Sequence, residues 1–542
     1  MTAQRKRLVL IACILGTAVV TVDATVVNVA LPAIAGDLGG GLAGQQWTSN
    51  AYLVTLGSLL LIGGSLGDVF GERRIFALGV GGFGATSVLC ALAPTIELLV
   101  LGRALQGVFG ALLTPAALAV IVTVFPEDER GKAVGAWTAW GGIGTVLGPL
   151  IGGQLVDSAS WRWIFALNVP LVLGTLFLIE RVVPEGRPSE TRAKVDVAGA
   201  ALCALGLAGM TFGLIEQPLE GWADPVVFLP LVFGAVLFVS FLVYEERGTD
   251  HAMLPLELFR RRNFAAGNAE TFTMYGGLGM LFFFLVLFLQ QVAGLDALEA
   301  GATTLPVTIV MLLLSMRFGA LADKHGPRLF MGVGPLIAAA GLALLLPLDA
   351  SVDYVTDLLP ALLVFALGLS MTVAPLTATV LADADEHNAG IASGVNNAIA
   401  RVAALVAIAA VGAVVAAQFR SELDSNLGRL ASSPRVAPAL AEAKRQPLAR
   451  VAPGNTPPAV RERVARATED ASVHAFRVGI AISTVLVGLG GVLGLVGIRN
   501  RRRVVRSEDC PGGQLAGVPR DASRQSPCDW HRSRPAAKQT AY

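Results

Sequence analysis

Asp23, Arg103 and Glu270 stand inside long apolar runs of this chain, where an ionisable group is costly and usually faces a cavity or a partner. Burial in hydrocarbon favours the neutral form of a carboxyl, and a nearby cation favours the charged form. Asp23 is therefore placed to act as a switch that takes or releases a proton as its surroundings change. The plainer alternative is a carboxyl hydrogen-bonded between helices. Arg103 is its expected partner, directly or through water, because a guanidinium stays charged and would be costly there alone. The plainer alternative for Arg103 is snorkelling to the interface. Gln106 follows at i+3 on the same helix face. Glu270, within NAETFTMYGG, is expected to be a second proton site, an attractor for cationic substrates, or a solvated group near the headgroups. Arg317 is expected to snorkel, and Arg401 to pair with backbone carbonyls or an acid across the bundle.

Little else points to chemistry. Cys13, Cys90, Cys203, Cys510 and Cys528 show no metal or redox spacing, and the five histidines lie far apart. The run GGIGTVLG resembles a nucleotide loop on paper, but it lies in an apolar stretch with no strand before it. No GxxxxGK[ST] occurs, so ATP is not the expected driving force. The chain is expected to need no metal or organic cofactor and to be no enzyme. A membrane-embedded enzyme would need clustered catalytic residues at one membrane face, and none are grouped that way.

The elements that must hold these residues follow from composition. Of 542 residues, 54% are hydrophobic and 15% charged, against about 25% charged in an ordinary soluble domain. The surplus apolar surface must face lipid. Net charge is +1, which leaves no basic field for nucleic acid. A bilayer core needs about 20 apolar residues per helix. Such runs predict fourteen spans, beginning at Leu8, Gln46, Ile75, Leu98, Ala133, Trp163, Val195, Val226, Phe264, Thr303, Leu329, Leu358, Ile391 and Phe476. The first is too long for a cleaved signal peptide and carries Asp23 and Asn28. With Arg5, Lys6 and Arg7 inside, the connections on that side hold most loop Lys and Arg, and the short outer connections hold only Arg162. Both termini are then cytoplasmic. The expected organisation is an N-terminal six-helix bundle over 1–183, two extra helices and linkers over 184–262, and a C-terminal six-helix bundle over 263–498. An extracellular loop over 420–475 interrupts the last, with helix expected from Pro458 onward, and 499–542 reads as a disordered cytoplasmic tail.

One motif occurs twice. GSLGDVFGERR runs from Gly64 to Arg74 and GALADKHGPR from Gly319 to Arg328, 255 residues apart. Gly64, Gly71, Gly319 and Gly326 permit close helix contact or left-handed backbone. Asp68 and Asp323 can cap a helix, and Arg73 and Arg328 can pair with that Asp or with another helix end. Repetition at this distance indicates two homologous halves, a hallmark of secondary transporters. On the fifth span, Gly144, Gly148, Gly152 and Gly153 let helices approach closely, and Pro149 bends the helix.

With these motifs the sequence resembles the major facilitator superfamily, and within it the fourteen-helix drug:proton antiporter family. The resemblance rests on the paired turns, VDATVVNVALP from Val22, Arg103 with Gln106-Gly107, GTVLGPLIGG from Gly144, and WRWIFALNVP from Trp161. It spans about Leu8 to Arg499. It departs from the family at Val69 and Glu72, where basic residues are usual, and in the thirteenth span, which is Gly-poor and lacks the extra acid of some relatives.

The resemblance implies an all-α polytopic fold of two six-helix bundles plus two central helices. It implies that Asp23 takes part in proton coupling and that GTVLGPLIGG favours outward export. The implied function is proton-coupled antiport of a small hydrophobic drug or antibiotic across the cytoplasmic membrane, by a monomer. A symporter of the same fold, or an exporter of another endogenous metabolite, is the alternative. High Ala, Gly and Arg usage points to a GC-rich bacterium. The cavity is expected to be apolar with sparse polar groups. Its candidates are Asn28, Trp47, Asn50, Tyr52, Gln106, Trp137, Trp140, Phe272, Tyr275, Asn396 and Asn397, although interfacial belts also collect Trp and Tyr.

Overall fold

The computed structural model describes residues 1–185, 196–248, 254, 256–383, 389–427, 437–451 and 458–500. Among these every regular element is helical. Apolar runs form the long helices, several of them across an internal proline such as Pro32, Pro115 and Pro149, and polar residues cap some of their starts: Thr2 accepts from the Arg5 amide, Thr95 from Leu98 and Asp196 from Gly199. The helices are α1 (Ala3–Leu38), α2 (Gly41–Phe70), α3 (Glu72–Ala91), α4 (Ile96–Val124), α5 (Glu127–Ser158), α6 (Arg162–Ala166), α7 (Asn168–Val182), α8 (Val197–Glu220) and α9 (Pro225–Arg247). They continue with α10 (Arg262–Gln291), α11 (Ala297–Ala302), α12 (Leu305–His325), α13 (Pro327–Ala343), α14 (Leu359–Ala382), α15 (Ala389–Leu427), α16 (Ala437–Lys444) and α17 (Pro458–Gly497). Twelve helices among the described residues are long and apolar enough to cross a membrane. The 30-residue α2 is outside that count, and α13 is a shorter apolar helix of 17 residues.

Residues 1–498 form one compact unit. In its first part α1 packs on α5 and α7, α2 on α4, and α3 on α4 and α7. In its last part α10 packs on α15 and α17, and α13 on α14 and α17. The hairpin of α8 and α9 leans on α2 and α15 through α8. The face carrying the amino terminus holds both copies of the turn motif. At each, a single glycine links two helices in left-handed backbone: Gly71 at φ 94° between α2 and α3, and Gly326 at φ 90° between α12 and α13. The arginines then clasp a helix end. Arg73 donates to the Glu180 carbonyl of α7 at 3.2 Å and reaches Glu185, and Arg328 donates to the Leu495 carbonyl of α17 at 2.6 Å. Gly64 approaches Pro115, Gly319 approaches Ala374, and Asp323 is exposed. The Asp68 side chain lies outside the described residues.

At the opposite face the two parts are bonded together. The Asp157 carboxylate accepts from the backbone amides of Ala297 and Leu298 at 3.1 and 2.8 Å. Gln290 donates to the Val29 carbonyl at 3.0 Å, and Gln46 to the Ile408 carbonyl at 2.7 Å. Asp37, Arg162 and Trp161 form a second knot there, with Arg162 stacked 4.2 Å from the Trp161 ring centre. Part of the segment expected as an outer loop is helical, from Pro458 as expected and also at its start. α15 continues to Leu427 and α17 starts at Pro458, well before its apolar run. Ion pairs Lys444–Asp424 and Arg450–Glu469 brace these extensions. The expected tail lies outside the described residues from 501 onward.

Candidate proton-coupling site

Asp23 lies on α1, and four other helices converge on it. Arg103 and Gln106 come from one face of α4, one turn apart. Ser87 and Cys90 come from α3, Asn168 from the first turn of α7, and Tyr52 and Thr48 from α2. Asp23, Ser87, Gln106 and Asn168 are fully buried, and Arg103 is 1% exposed. Arg103 donates to Asp23 Oδ2 at 2.5 Å, to Gln106 Oε1 at 2.8 Å and to the Thr48 carbonyl at 3.1 Å. Its guanidinium lies 4.4 Å from the centre of the Tyr52 ring. Asp23 Oδ1 accepts from Asn168 Nδ2 at 3.0 Å and from Gln106 Nε2 at 3.3 Å. The same two amide nitrogens reach Ser87 Oγ at 3.2 and 2.8 Å. The carboxyl is thus held by one guanidinium and two amides, buried between helices.

Such a site ties α1 to α4 through one buried ion pair. Removing one partner of a buried pair costs about 3–5 kcal/mol, because the other charge is left uncompensated. The glycines of α5 back the other side of α1. A side chain at Gly144 would meet Thr21 Oγ1 at 2.9 Å, one at Gly148 would overlap Thr25, and one at Gly152 would overlap Val26. The same helix touches the far part through Gly153, against Leu298, and through the Pro149 carbonyl, 2.7 Å from where a Cβ on Gly301 would sit. Asp23 therefore rides on a helix wedged against α5, which is itself in contact with α11.

Asn168, Ser87 and Thr48 were not singled out by sequence. The signal for Asn168 is its place in WRWIFALNVP, a lone amide opening an apolar run. Glu270 is fully buried on α10, and neither of its oxygens has a partner among the described residues. Of the cavity candidates, Gln106 and Tyr52 belong to the Asp23 network. Asn50 is fully buried with both amide atoms unpartnered among the described residues. Trp137 donates to Thr17 Oγ1 at 2.9 Å. Asn396 donates to Thr271 Oγ1 at 2.7 Å and to Asn268 Oδ1 at 3.1 Å, tying α15 to α10. Tyr275 and Asn28 are half-buried, and Trp140 and Phe272 are exposed by 53% and 39%. Trp47 instead packs on α8, against Phe212 and the Glu216 carboxylate, and Asn397 bonds back to the Ser393 carbonyl of its own helix.

Comparison with known proteins places this geometry in context. The sequence profile described as Major Facilitator Superfamily matches residues 13–408. The puromycin resistance protein pur8 of Streptomyces alboniger is 38% identical over 73% of this chain and 79% of its own length. The probable actinorhodin transporter of Streptomyces coelicolor is 34% identical over 76% and 73%. The tetracenomycin C resistance and export protein of Streptomyces glaucescens is 33% identical over 79% of each. Among solved structures, a bacterial homolog of the human lysosomal transporter Spinster superposes with TM-score 0.62 at 18% identity, covering 91% of this chain and 98% of that one. A D-xylose–proton symporter gives TM-score 0.59 at 15% identity over 91% and 98%.

Proposed function

We propose that this chain, which belongs to the Major Facilitator Superfamily and so is a multi-pass membrane transporter, exports a small hydrophobic drug or antibiotic in exchange for protons. The observation that carries the reading is the enclosed Asp23–Arg103 pair with its two amide donors. The names of the Streptomyces relatives, which concern resistance to or export of antibiotics, support drug export. In this reading fourteen spans cross a bacterial cytoplasmic membrane as two six-helix bundles with α8 and α9 between them, and both termini are cytoplasmic. The protein works as a monomer and needs no cofactor beyond the proton gradient.

The mechanism is alternating access. The bonds at Asp157, Gln290 and Gln46 close the outer face. Substrate enters from the cytoplasm, Asp23 gives up its proton there, and the ion pair with Arg103 forms. Rocking opens the outer face, where a proton returns to Asp23 and releases Arg103. One charge moved across 100 mV is worth about 2.3 kcal/mol, enough to concentrate substrate outside. Glu270, fully buried on α10 with neither oxygen partnered among the described residues, serves as a second proton-carrying group. The test is puromycin movement into inside-out vesicles under an imposed pH gradient. Asp23→Asn is expected to abolish gradient-driven uptake at normal membrane levels. Undiminished uptake by that variant would refute the coupling role.

A further inference from the structure

The mechanism leaves one polar cavity unused. It measures about 810 Å³ and lies at the face opposite the turn motifs, between the ends of α1, α8 and α10, the start of α2, the outer part of α15 and residues 445–450. Its charge is one-sided. Arg420, Arg445 and Arg450 line it, and among the described residues the only acid in its lining is Glu220. Arg450 is engaged by Glu469 at 3.1 Å. Arg420 and Arg445 make no ion pair among the described residues; Asp424, one turn along α15 from Arg420, is held by Lys444 at 2.6 Å. The backbone adds donors. Gly39, Gly40 and Gly41 follow one another in left-handed backbone, at φ 80°, 88° and 53°, and turn α1 directly into α2. The start of α2 carries no side-chain cap, so the first-turn amides of Gly41, Leu42 and Ala43 have no partner within the helix, and all three residues line the cavity. A Cβ on Gly41 would overlap the Arg445 carbonyl, so residues 445–450 sit directly on this helix start. At their other end the Arg450 amide donates to the Gln291 carbonyl at 3.1 Å. Gln45, one turn further along α2, also lines the cavity; it is 4% exposed, and its Oε1 has no partner among the described residues. A buried amide oxygen in that position calls for a donor.

We infer that this cavity binds a phosphoglycerol group, with Arg420, Arg445 and the start of α2 taking the phosphate and Gln45 taking a glycerol hydroxyl. A phosphate spreads its charge over oxygens that can meet arginine forks and helix-start amides together. The same chemistry comes from the headgroup of phosphatidylglycerol or from free glycerol phosphate. The wall given by Ile215, Pro218 and Leu219 of α8 suits an acyl chain beside the headgroup. Leu219 and Trp222 at that end of the hairpin are exposed by 43% and 59%, as residues of a membrane interface are. The site goes beyond the transport reading and does not depend on the direction or coupling of transport.

The test is calorimetric binding to the full chain, purified in a neutral detergent. The probes are short-chain phosphatidylglycerol, phosphatidylmethanol and phosphatidylcholine of one chain length, and soluble glycerol phosphate. Phosphatidylmethanol keeps the phosphate diester and lacks the hydroxyls. The wild type is expected to bind phosphatidylglycerol at least about tenfold more tightly than phosphatidylcholine, the worth of one hydrogen bond to a charged group. Arg420→Gln with Arg445→Gln is expected to erase that preference at unchanged Tm, and Arg420→Lys with Arg445→Lys to keep part of it. Gln45→Leu is expected to bring phosphatidylglycerol down to the level of phosphatidylmethanol. Binding of glycerol phosphate as well, lost in the glutamine variant, would support a site open to the free ester; binding of the lipid alone would support a headgroup site. The proposal is overturned if the wild type neither prefers phosphatidylglycerol nor binds glycerol phosphate, or if the preference survives the glutamine exchanges. Should those exchanges lower the Tm, equal binding of phosphatidylglycerol by the wild type and Gln45→Leu overturns it instead. No transport is measured, so a failure of the antiport reading leaves this result untouched.

Discussion

At the scale of single residues, the proposed coupling reduces to how one carboxyl is shared. Asp23 divides its oxygens between a guanidinium and two amides, so deletions around it should differ in kind. Arg103→Ala strands a buried charge and is expected to lower stability by about 3–5 kcal/mol, seen as a fall in the Tm of the purified protein in detergent. Asn168→Ala removes one neutral donor and should cost about 1–3 kcal/mol. Combining Asp23→Asn with Arg103→Gln should cost less than the sum of the two, by about 0.5–3 kcal/mol, because each single change breaks the same bond; additive losses would contradict the pairing. The sequence made Asp23 and Arg103 conspicuous because a charge in an apolar run has few structural uses. It could not rank Ser87 or Asn168, since uncharged polar residues are common in spans and convergence across helices has no signature along the chain. Arg401 stood out for the same reason as Asp23. Its surroundings could not be read, because they depend on which faces of α2 and α10 meet α15.

At the scale of elements, glycine decides where helices touch. Gly148→Ala places a methyl against Thr25, two residues from Asp23 on α1, and is expected to cut export severalfold at unchanged expression. Thr25→Ala in the same chain should recover part of it by removing the hydroxyl that the methyl meets. Full export by the single variant would show that the α1–α5 contact is slack. Gly71→Ala and Gly326→Ala each force a side chain into left-handed backbone, and each should cost about 1–3 kcal/mol in thermal stability. The positions of the helices were legible because hydrocarbon thickness sets a length that composition must satisfy. The run of α15 on to Leu427 was not, since charged helical extensions and charged loops share a composition, whereas the helix from Pro458 was expected. The turn arginines had two open choices, and both take a helix end, where the carbonyls of the last turn offer partial negative charge.

At the scale of the whole molecule, closure at one face rests on few polar bonds. A disulfide between Asp157→Cys and Ala297→Cys should tie α5 to α11 and stop export, and dithiothreitol should restore it. Export by the oxidised double variant would place the moving surfaces elsewhere. The paired arginines carry a further meaning. Arg73 fastens α7 and Arg328 fastens α17, so each latch belongs to one part of the chain and neither bridges the two. Tilting one part against the other leaves both latches fastened. In the alternating-access reading, the balance between postures then falls on contacts that join the two parts, the bonds at Asp157, Gln290 and Gln46 among them. Substitutions along that seam then shift how long the transporter waits in each posture and leave both latches in place.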